Sequence, residues 1–543
     1  MSHATAATSQ PNALLNRLEE LNAIGIALSS ERDTNRLLEN ILIAAKRITH
    51  ADAGTLYLLD PKQQALKFEI IRTDTLGITM GGTTGVPITF YPIQLYDEAG
   101  KPNNNMVVAY AALSGKSVNI PDAYQAEGYD FSGTKIFDEK TGYRSTSLLA
   151  VPMRNHENEL IGVLQLINAQ DSSKNIVSFG LQDQRLLESL ASQAAIALTN
   201  HLLIQQMESL FESFISLINT AIDEKSAYTG GHCERVPVLT MMLAEAVNRT
   251  QQGPLKDFVM TEKDRYELKI AGLLHDCGKI TTPVHVVDKS TKLETIFDRI
   301  HLIDTRFEVL KRDSEITLLR GLQGAGEAQA NNLHEVFNAR ISQLNDDRAF
   351  IRQCNTGSEK MDTAHQERVR RIAAYTYRNA EGEEVRFLSD DELENLTIRA
   401  GTLTDAERQI INQHIDFTIK MLESLPWPRH LSKVPEYAGG HHEHMDGTGY
   451  PRGLTREQMS VQARVMAIAD IFEALTAKDR PYKPGKTLTE SLFILGKLKE
   501  CGHIDPDLFN VFVREKVYSD YAERFMDPAQ IDNVDESQIP GYG

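Results

Sequence analysis

Hydrophobic and polar positions follow three successive regimes along the chain. From about residue 12 to 200, helical and strand-like patterns alternate. A helical run at 14–28 leads into a second at 35–48, and short apolar stretches follow at 54–59 (GTLYLL) and 66–71 (LKFEII). Further on, 147–153 (SLLAVPM) and 160–167 (LIGVLQLI) are spaced by a turn bearing Asn and Glu, which predicts a β-hairpin. Polar, Gly-rich stretches at 76–85 and 124–142 are expected to be loops capping one face of an antiparallel sheet.

Residues 183–221 form the second regime and predict one helix. Ile196, Leu203, Met207, Leu210, Phe214, Leu217 and Ala221 recur in steps of three and four after a gap at Asn200, which is a heptad seam with one Asn in the core register. The seam predicts a parallel coiled coil joining two protomers and carrying a signal between domains; the alternative is an amphipathic helix packed on its own domain. From 222 onward the chain reads as mostly helical. Within it, 289–400 stands apart, with helical patterns at 295–322 and 327–354, a polar stretch, and further charged helical sequence. The expectation is a projecting helical hairpin whose charges form a solvated face.

Composition narrows the function classes. The 543 residues carry 57 Lys+Arg against 75 Asp+Glu, a net charge of −18, with 41% hydrophobic and 24% charged residues. These are globular values, and the acidity disfavours nucleic-acid polymers and anionic membrane surfaces, which need basic faces. Cys233, Cys277, Cys354 and Cys501 form no CxxC pair, which points to a reducing compartment. The first residues lack the basic and apolar regions of a signal peptide, and no apolar stretch is long enough for a membrane span. A cytoplasmic protein is expected.

Two clusters carry chemistry. The first, 273–279 (LLHDCGK), ends an apolar helix containing Leu268, Ala271 and Leu274, with Gly278 expected to terminate it. His275 and Asp276 would sit together in an apolar setting, where a metal is a natural counter-charge for the carboxylate; a core His beside a capping Asp would give the same pair. The second, 441–451 (HHEHMDGTGYP), makes a poor structural element and a plausible ligand loop. Mixed imidazole and carboxylate donors suit iron, manganese or zinc, and the lack of cysteine ligands argues against structural zinc.

HDCGK at 275–279 followed by HHEHMDGTGYP at 441–451 resembles the signature of the HD-GYP phosphodiesterases, a branch of the HD metal-dependent phosphohydrolases. Residues 228–236 (YTGGHCERV), 407–414 (ERQIINQH) and 463–484 (ARVMAIADIFEALTAKDRPYKP) are similar to three further motifs in the same order. The resemblance implies an all-α bundle holding two divalent ions, iron or manganese. Their ligands would be His232, His275, Asp276, His414, His441, His442 and Asp470, with Asp276 bridging. It also implies His275, Asp276 and Lys279 as catalytic residues, and Lys279, Gly449, Tyr450, Pro451, Arg480 and Lys483 as substrate contacts. Some members add a third metal through a carboxylate four residues before the first His. Here that position is Tyr228, which favours a two-metal site. The implied substrate is cyclic di-GMP, opened to linear pGpG and onward to GMP. The chain departs from the family in spacing: Lys279 and His414 are 135 positions apart, so 289–400 is an insertion that could wall the cleft, bind a partner or restrict substrate size.

Residues 20–200 resemble a GAF sensor domain. FDEKTGYRS at 137–145 is similar to the GAF core of cyclic-nucleotide phosphodiesterases and cyclases. Their Asn-Lys…Phe…Asp-Glu signature reads Asn168-Ala169…Phe179…Asp183-Gln184 here, without the Lys and the final Glu. A cyclic nucleotide is one expected GAF ligand; dimerisation or another ligand are the alternatives.

The expected whole is a multidomain α+β protein: a tail at 1–19, a GAF domain at 20–182 with an antiparallel sheet and helices, and a signalling and dimerising helix at 183–221. An all-α HD-type bundle at 222–288 and 401–543 follows, interrupted by the helical insertion at 289–400. The expected activity is that of a GAF-regulated cyclic di-GMP phosphodiesterase. The alternatives are an inactive receptor or scaffold for the dinucleotide, and a hydrolase of another cyclic dinucleotide. The net charge of −18 does not oppose this, since a small phosphodiester needs only a local cationic site.

Overall fold

A computed structural model describes residues 9–31, 33–226, 231–357, 361–478 and 485–542, with side chains described from Leu21 onward and at Glu19. The chain divides into two compact units, 1–211 and 212–543.

The first unit opens with α1 (Ser9–Ser30) and α2 (Thr34–Thr49). Asp33 caps α2 by accepting from Arg36 N, and Leu37, Leu38, Ile41, Leu42, Ala45 and Ile48 make its buried stripe. Then come β1 (Ala51–Asp60), β2 (Ala65–Thr73), β3 (Ile78–Gly81), β4 (Ile93–Gln94), α3 (Val107–Ser114), β5 (Val118–Ile120), α4 (Ser132–Thr141), β6 (Leu148–Arg154), β7 (Leu160–Gln170) and β8 (Ile176–Val177). The strands form one antiparallel sheet in the order β3-β2-β1-β7-β6-β5, with β4 on β2 and β8 on β7.

Because successive strand residues face opposite sides, the sheet feeds two cores. Leu56, Leu149, Val151, Leu164 and Leu166 pack with α1, α2 and the start of the following helix. Tyr57, Leu148, Ala150 and Val163 pack with α3 on the other side. The predicted hairpin is β6–β7, in register Leu149↔Leu166 and Val151↔Leu164.

Two expected loops contain secondary structure. The stretch 76–85 holds β3, whose four residues are too few to display an alternation. The stretch 124–142 holds α4, where Asp138 is the one buried residue, so no apolar stripe betrays the helix. Asp138 accepts from Ser145 N (2.7 Å), Ser145 Oγ (2.9 Å) and Tyr124 Oη (2.8 Å). Asn168 accepts from Thr146 N (2.7 Å) and donates to the Arg144 carbonyl (2.8 Å), and Tyr143 Oη donates to Asp52 (2.6 Å). These GAF-like motif residues are engaged with one another and hold the 143–147 segment against the sheet.

The unit boundary falls within α5 (Leu181–Lys225), a single 45-residue helix. Leu203, Met207, Leu210, Phe214 and Leu217, the heptad positions of its seam, are 48–70% exposed. Among the described residues, no helix is long and apolar enough to cross a membrane.

The second unit contains α6 (His232–Arg249), α7 (Glu262–Leu274), α8 (Val284–Val287), α9 (Ile300–Leu322), α10 (Glu327–Asn355), α11 (Thr363–Ala373), β9 (Thr376–Arg378), β10 (Glu384–Arg386) and α12 (Asp390–Leu396). These are followed by α13 (Asp405–Glu423), α14 (Val434–Gly439), α15 (Val461–Thr476), α16 (Leu488–Glu500), α17 (Pro506–Arg514) and α18 (Val517–Phe525). Helices α6, α7, α13, α14 and α15 pack on one another, and α16–α18 complete the bundle around α6 and α15.

The insertion is more than a helical hairpin with a solvated face. Around α9 and α10 it has its own core, including Phe307, Leu344, Ile351, Val369 and Phe387, and a small β9–β10 hairpin. Several charges are structural: Arg306 pairs with Glu392, and Asp304 and Asp347, both buried, take Arg348 and Arg368. Helix α9 starts at Ile300 rather than 295, because the Asp298 carboxylate accepts from Ile300 N and from Thr291 Oγ1 and so organises the preceding turn.

Candidate metal centre

Three helix ends and two helix interiors deliver the candidate ligands. His232 is the first residue of α6, after Gly231 in the left-handed region (φ 73°). His275 and Asp276 leave the buried end of α7 and run into a short 3-10 turn, Cys277–Thr281, carrying Lys279. His414 lies in α13, His441 and His442 follow α14, and Asp470 lies in α15.

Gly278 has a different task from the expected helix stop, since His275 is itself the C-cap of α7. A Cβ on Gly278 would lie 2.0 Å from the His414 carbonyl oxygen, and its N–H donates to Thr418 Oγ1 (2.9 Å). The missing side chain lets the His275–Asp276 turn rest directly on α13.

Among the described residues, two quartets offer ligand atoms within 4.8 Å of one another: His232–His275–Asp276–Asp470 and Asp276–His414–His441–His442. They share Asp276 and gather all seven residues expected as ligands. Asp276 Oδ2 lies 3.1 Å from His232 Nε2 and 3.2 Å from His275 Nε2, while Oδ1 lies 3.2 Å from His414 Nε2 and 4.0 Å from His441 Nε2. Asp470 Oδ1 is 3.2 Å from His232 Nε2. Each carboxylate oxygen of Asp276 thus addresses one quartet.

Backbone carbonyls fix the imidazole tautomers. Nδ1 of His275, His414 and His441 lies 2.8, 2.6 and 2.6 Å from the carbonyls of Gly272, Ile411 and Ala438. A carbonyl only accepts, so Nδ1 carries the proton and each Nε2 turns a lone pair inward. Nε2 of His442 then approaches that of His414 to 3.2 Å, and Nε2 of His275 approaches that of His232 to 3.3 Å. Asp276 Oδ1 and His441 Nε2 are buried without a hydrogen-bond partner. Converging lone pairs and orphaned acceptors are costly unless a cation lies among them, and a donor set of imidazoles and carboxylates suits a divalent transition metal.

The charges agree. Burial opposes ionisation of Asp276, yet Lys279, its Nζ 2.5 Å from Oδ2, and His275 hold the carboxyl well below its usual range. Burial lowers His441 to about 4 and His442 well below its ordinary value, leaving both neutral as ligands must be. Burial would also lower His275, but Asp276 and Asp470 together outweigh it and lift the imidazole to about 9, so the carboxylates favour a cation, proton or metal, on the inward-facing Nε2.

The GYP segment packs on the ligand loop. The Tyr450 ring stacks on His442 with centroids 4.9 Å apart and planes 17° apart, and Tyr450 N donates to the His442 carbonyl (3.2 Å). A Cβ on Gly449 would lie 2.2 Å from His444 N. Lys279 stands beside Asp276, whereas Arg480, Lys483 and Tyr228 lie outside the described residues.

Sequence reasoning assigned no role to two buried carboxylates and one half-buried arginine here. Glu443 accepts from Arg452 N (2.7 Å) and Leu454 N (2.9 Å), tying the chain after GYP to the His-His pair. Glu473 receives His232 Nδ1 (2.5 Å) and Arg235 Nε (2.7 Å). All three lie inside quoted strings, Glu443 in 441–451, Arg235 in 228–236 and Glu473 in 463–484, but nothing local marks them as partners of the ligands.

The family models decide the domain content. A GAF domain model matches residues 33–198, and HD domain models match 229–344 and 390–508. The chain carries a GAF domain followed by an HD domain. The two HD matches leave out 345–389, the middle of the insertion. A 3'3'-cGAMP-specific phosphodiesterase of Vibrio cholerae is 37% identical over 124 residues, covering 22% of this chain and 27% of that protein. A cyclic di-GMP phosphodiesterase of Pseudomonas aeruginosa is 38% identical over 116 residues, covering 21% and 27%, and one of Thermotoga maritima is 32% identical over 157 residues, covering 28% and 41%. Each match spans less than half of the relative's own length.

Proposed function

We propose that the HD domain is an HD-GYP-type phosphodiesterase that opens cyclic di-GMP to linear pGpG and further to GMP, under control of the GAF domain. The observation that carries this reading is the pair of quartets sharing Asp276. Seven buried or half-buried side chains, brought from five helices, present nitrogen lone pairs and carboxylate oxygens to two adjacent points. Two divalent ions held there, iron or manganese, would polarise a phosphodiester and lower the pKa of a bound water.

The chain's own residues supply the rest. Asp276 holds the two quartets in fixed relation through its two oxygens. Lys279 Nζ, half-buried at the edge of the cluster, is a cation available to a phosphate oxygen. Arg480 and Lys483 extend that role at the motif positions. Tyr450 supports His442 by stacking and forms with Gly449 and Pro451 a wall at which a base or ribose would rest. The exposed heptad face of α5 supports a homodimer, and the protein is proposed to act in the cytoplasm.

One observation favours a second substrate reading. The Vibrio relative is named for 3'3'-cGAMP, and its 37% identity is close to the 38% of the Pseudomonas relative. Protein purified without oxygen and analysed for metal is therefore incubated with each dinucleotide. Faster release of pGpG from cyclic di-GMP supports the main reading; preference for 3'3'-cGAMP transfers it to the other substrate. Binding of either without turnover, or equal turnover by a His275→Ala/Asp276→Ala variant, rejects the enzyme reading.

A further inference from the structure

Three imidazoles of the cluster are oriented alike. His275, His414 and His441 each hand their Nδ1 proton to the carbonyl three residues earlier. His232 has no such recourse, because it is the first residue of α6 and no turn of that helix precedes it. Its Nδ1 instead meets Glu473 Oε2 at 2.5 Å, across the interface between α6 and α15.

Glu473 is fully buried, a placement that needs a compensating charge. Arg235 supplies it: Nε and Nη2 each lie 2.7 Å from Oε1. The sequence spacing makes the arrangement reciprocal. His232 and Arg235 are three apart on α6, and Asp470 and Glu473 are three apart on α15, so each pair shares a helix face. Across the interface, His232 Nε2 faces Asp470 at 3.2 Å while its Nδ1 faces Glu473.

We infer that Glu473, braced by Arg235, is the positioning residue that fixes the tautomer and ring orientation of His232, and so sets metal affinity in the His232–His275–Asp276–Asp470 quartet alone. The inference rests on the metal-site reading above. It carries a specific asymmetry: the quartet containing His414, His441 and His442 is oriented by backbone carbonyls at the first two and by the Tyr450 ring at the third, and is independent of Glu473.

The test measures metal stoichiometry and affinity in the full-length protein by Mn²⁺ titration against a competing chelator. Wild type is expected to bind two equivalents. In Glu473→Ala, one equivalent is expected to weaken by roughly 10–100-fold and the other to hold, the range found when carboxylates orienting ligand imidazoles are removed. Glu473→Gln keeps an oxygen acceptor and is expected to lie between the two. Glu473→Ala takes the carboxylate from beside the half-buried Arg235 and so risks unfolding; Arg235→Met/Glu473→Met replaces both charges by apolar chains of similar reach, and it too is expected to lose one equivalent selectively. Two wild-type-like equivalents in a folded double variant would overturn the inference, as would equal weakening of both ions. A wild type that binds no metal would instead remove the metal-site reading on which it rests.

Discussion

Lys225 Nζ, in the last turn of α5, donates to the carbonyl oxygen of Ile280, the residue after Lys279. It also lies 3.4 Å from the Lys279 carbonyl, and the neighbouring Ser226 hydroxyl donates to Asp288. The end of the helix that follows the GAF domain is thus bonded to the backbone of the turn bearing Asp276 and Lys279. A shift of α5 along or about its axis would be felt at that turn, and also at Gly231 before His232, whose N–H donates to Asp223 of α5 (3.3 Å).

If α5 carries the GAF signal, Lys225→Met should uncouple it. Deleting residues 1–182 is expected to change turnover in the Lys225 background by roughly fivefold or more, the scale of ordinary coupling between sites. In the Lys225→Met background the same deletion should change turnover by less than about half that factor. The comparison of four kcat values checks it; equal deletion effects in both backgrounds would exclude this contact as the route.

The exposed seam of α5 predicts a dimer. Leu210→Glu/Leu217→Glu places charges at two heptad positions that are exposed in the single chain, so the fold should be unaffected while association is lost. Light scattering after gel filtration reads the result: a dimeric wild type and a monomeric variant with unchanged circular dichroism. A wild type that is monomeric at micromolar concentration would defeat the coiled-coil reading.

Much of this organisation was legible in the chain, for identifiable reasons. The β6–β7 hairpin announces itself because both strands are long and flanked by turn residues. Of the seven candidate ligands, those in the 275–279 and 441–451 strings are legible from their chemistry, and His232, His414 and Asp470 through the resemblance of their strings to the HD-GYP motifs. What escaped depends on distance or on short range. β3 is too short to show a period, and α4 buries a single Asp. Glu473 reads as an ordinary helix-surface acid, since the imidazole it serves lies 241 positions away. The buried charges of the insertion failed for the same reason: the Arg306–Glu392 pair joins residues 86 apart, so neither partner predicts the other's burial.

Tyr450 separates two roles of the GYP segment. Its ring stacks on His442, so Tyr450→Phe should keep metal content and turnover within about twofold, the hydroxyl contributing little to a stack. Tyr450→Ala removes an interaction worth roughly 0.5–1.5 kcal/mol and should weaken the ion bound by His414, His441 and His442 by up to about tenfold. Metal titration and kcat on the two variants check it. A Tyr450→Phe variant as damaged as Tyr450→Ala would move the role from the ring to the hydroxyl, and from support of His442 to contact with substrate.

Acid stability should report on Asp505, away from the metal cluster. Its carboxylate is fully buried, lies 2.8 Å from Arg456 Nε, bonds Arg464, and caps α17 by accepting from Asp507 N and Leu508 N. Burial opposes its ionisation, but the hydrogen bond from Arg456 and the cap hold the folded-state carboxyl below its ordinary value. A carboxyl with a depressed folded pKa contributes stability that is present above its unfolded pKa of about 3.9 and is lost as pH falls through the folded value. Asp505→Asn keeps an oxygen for the cap but takes the carboxylate from Arg464 and leaves Arg456 only Asp507, so it should cost roughly 3 kcal/mol at pH 7. Protonation takes the same charge from wild type, so the difference between the two proteins should shrink steadily below pH 4. Urea unfolding of both at pH 7, 5 and 3 measures it. A penalty independent of pH would mean that the carboxylate acts through packing and the cap rather than through its charge.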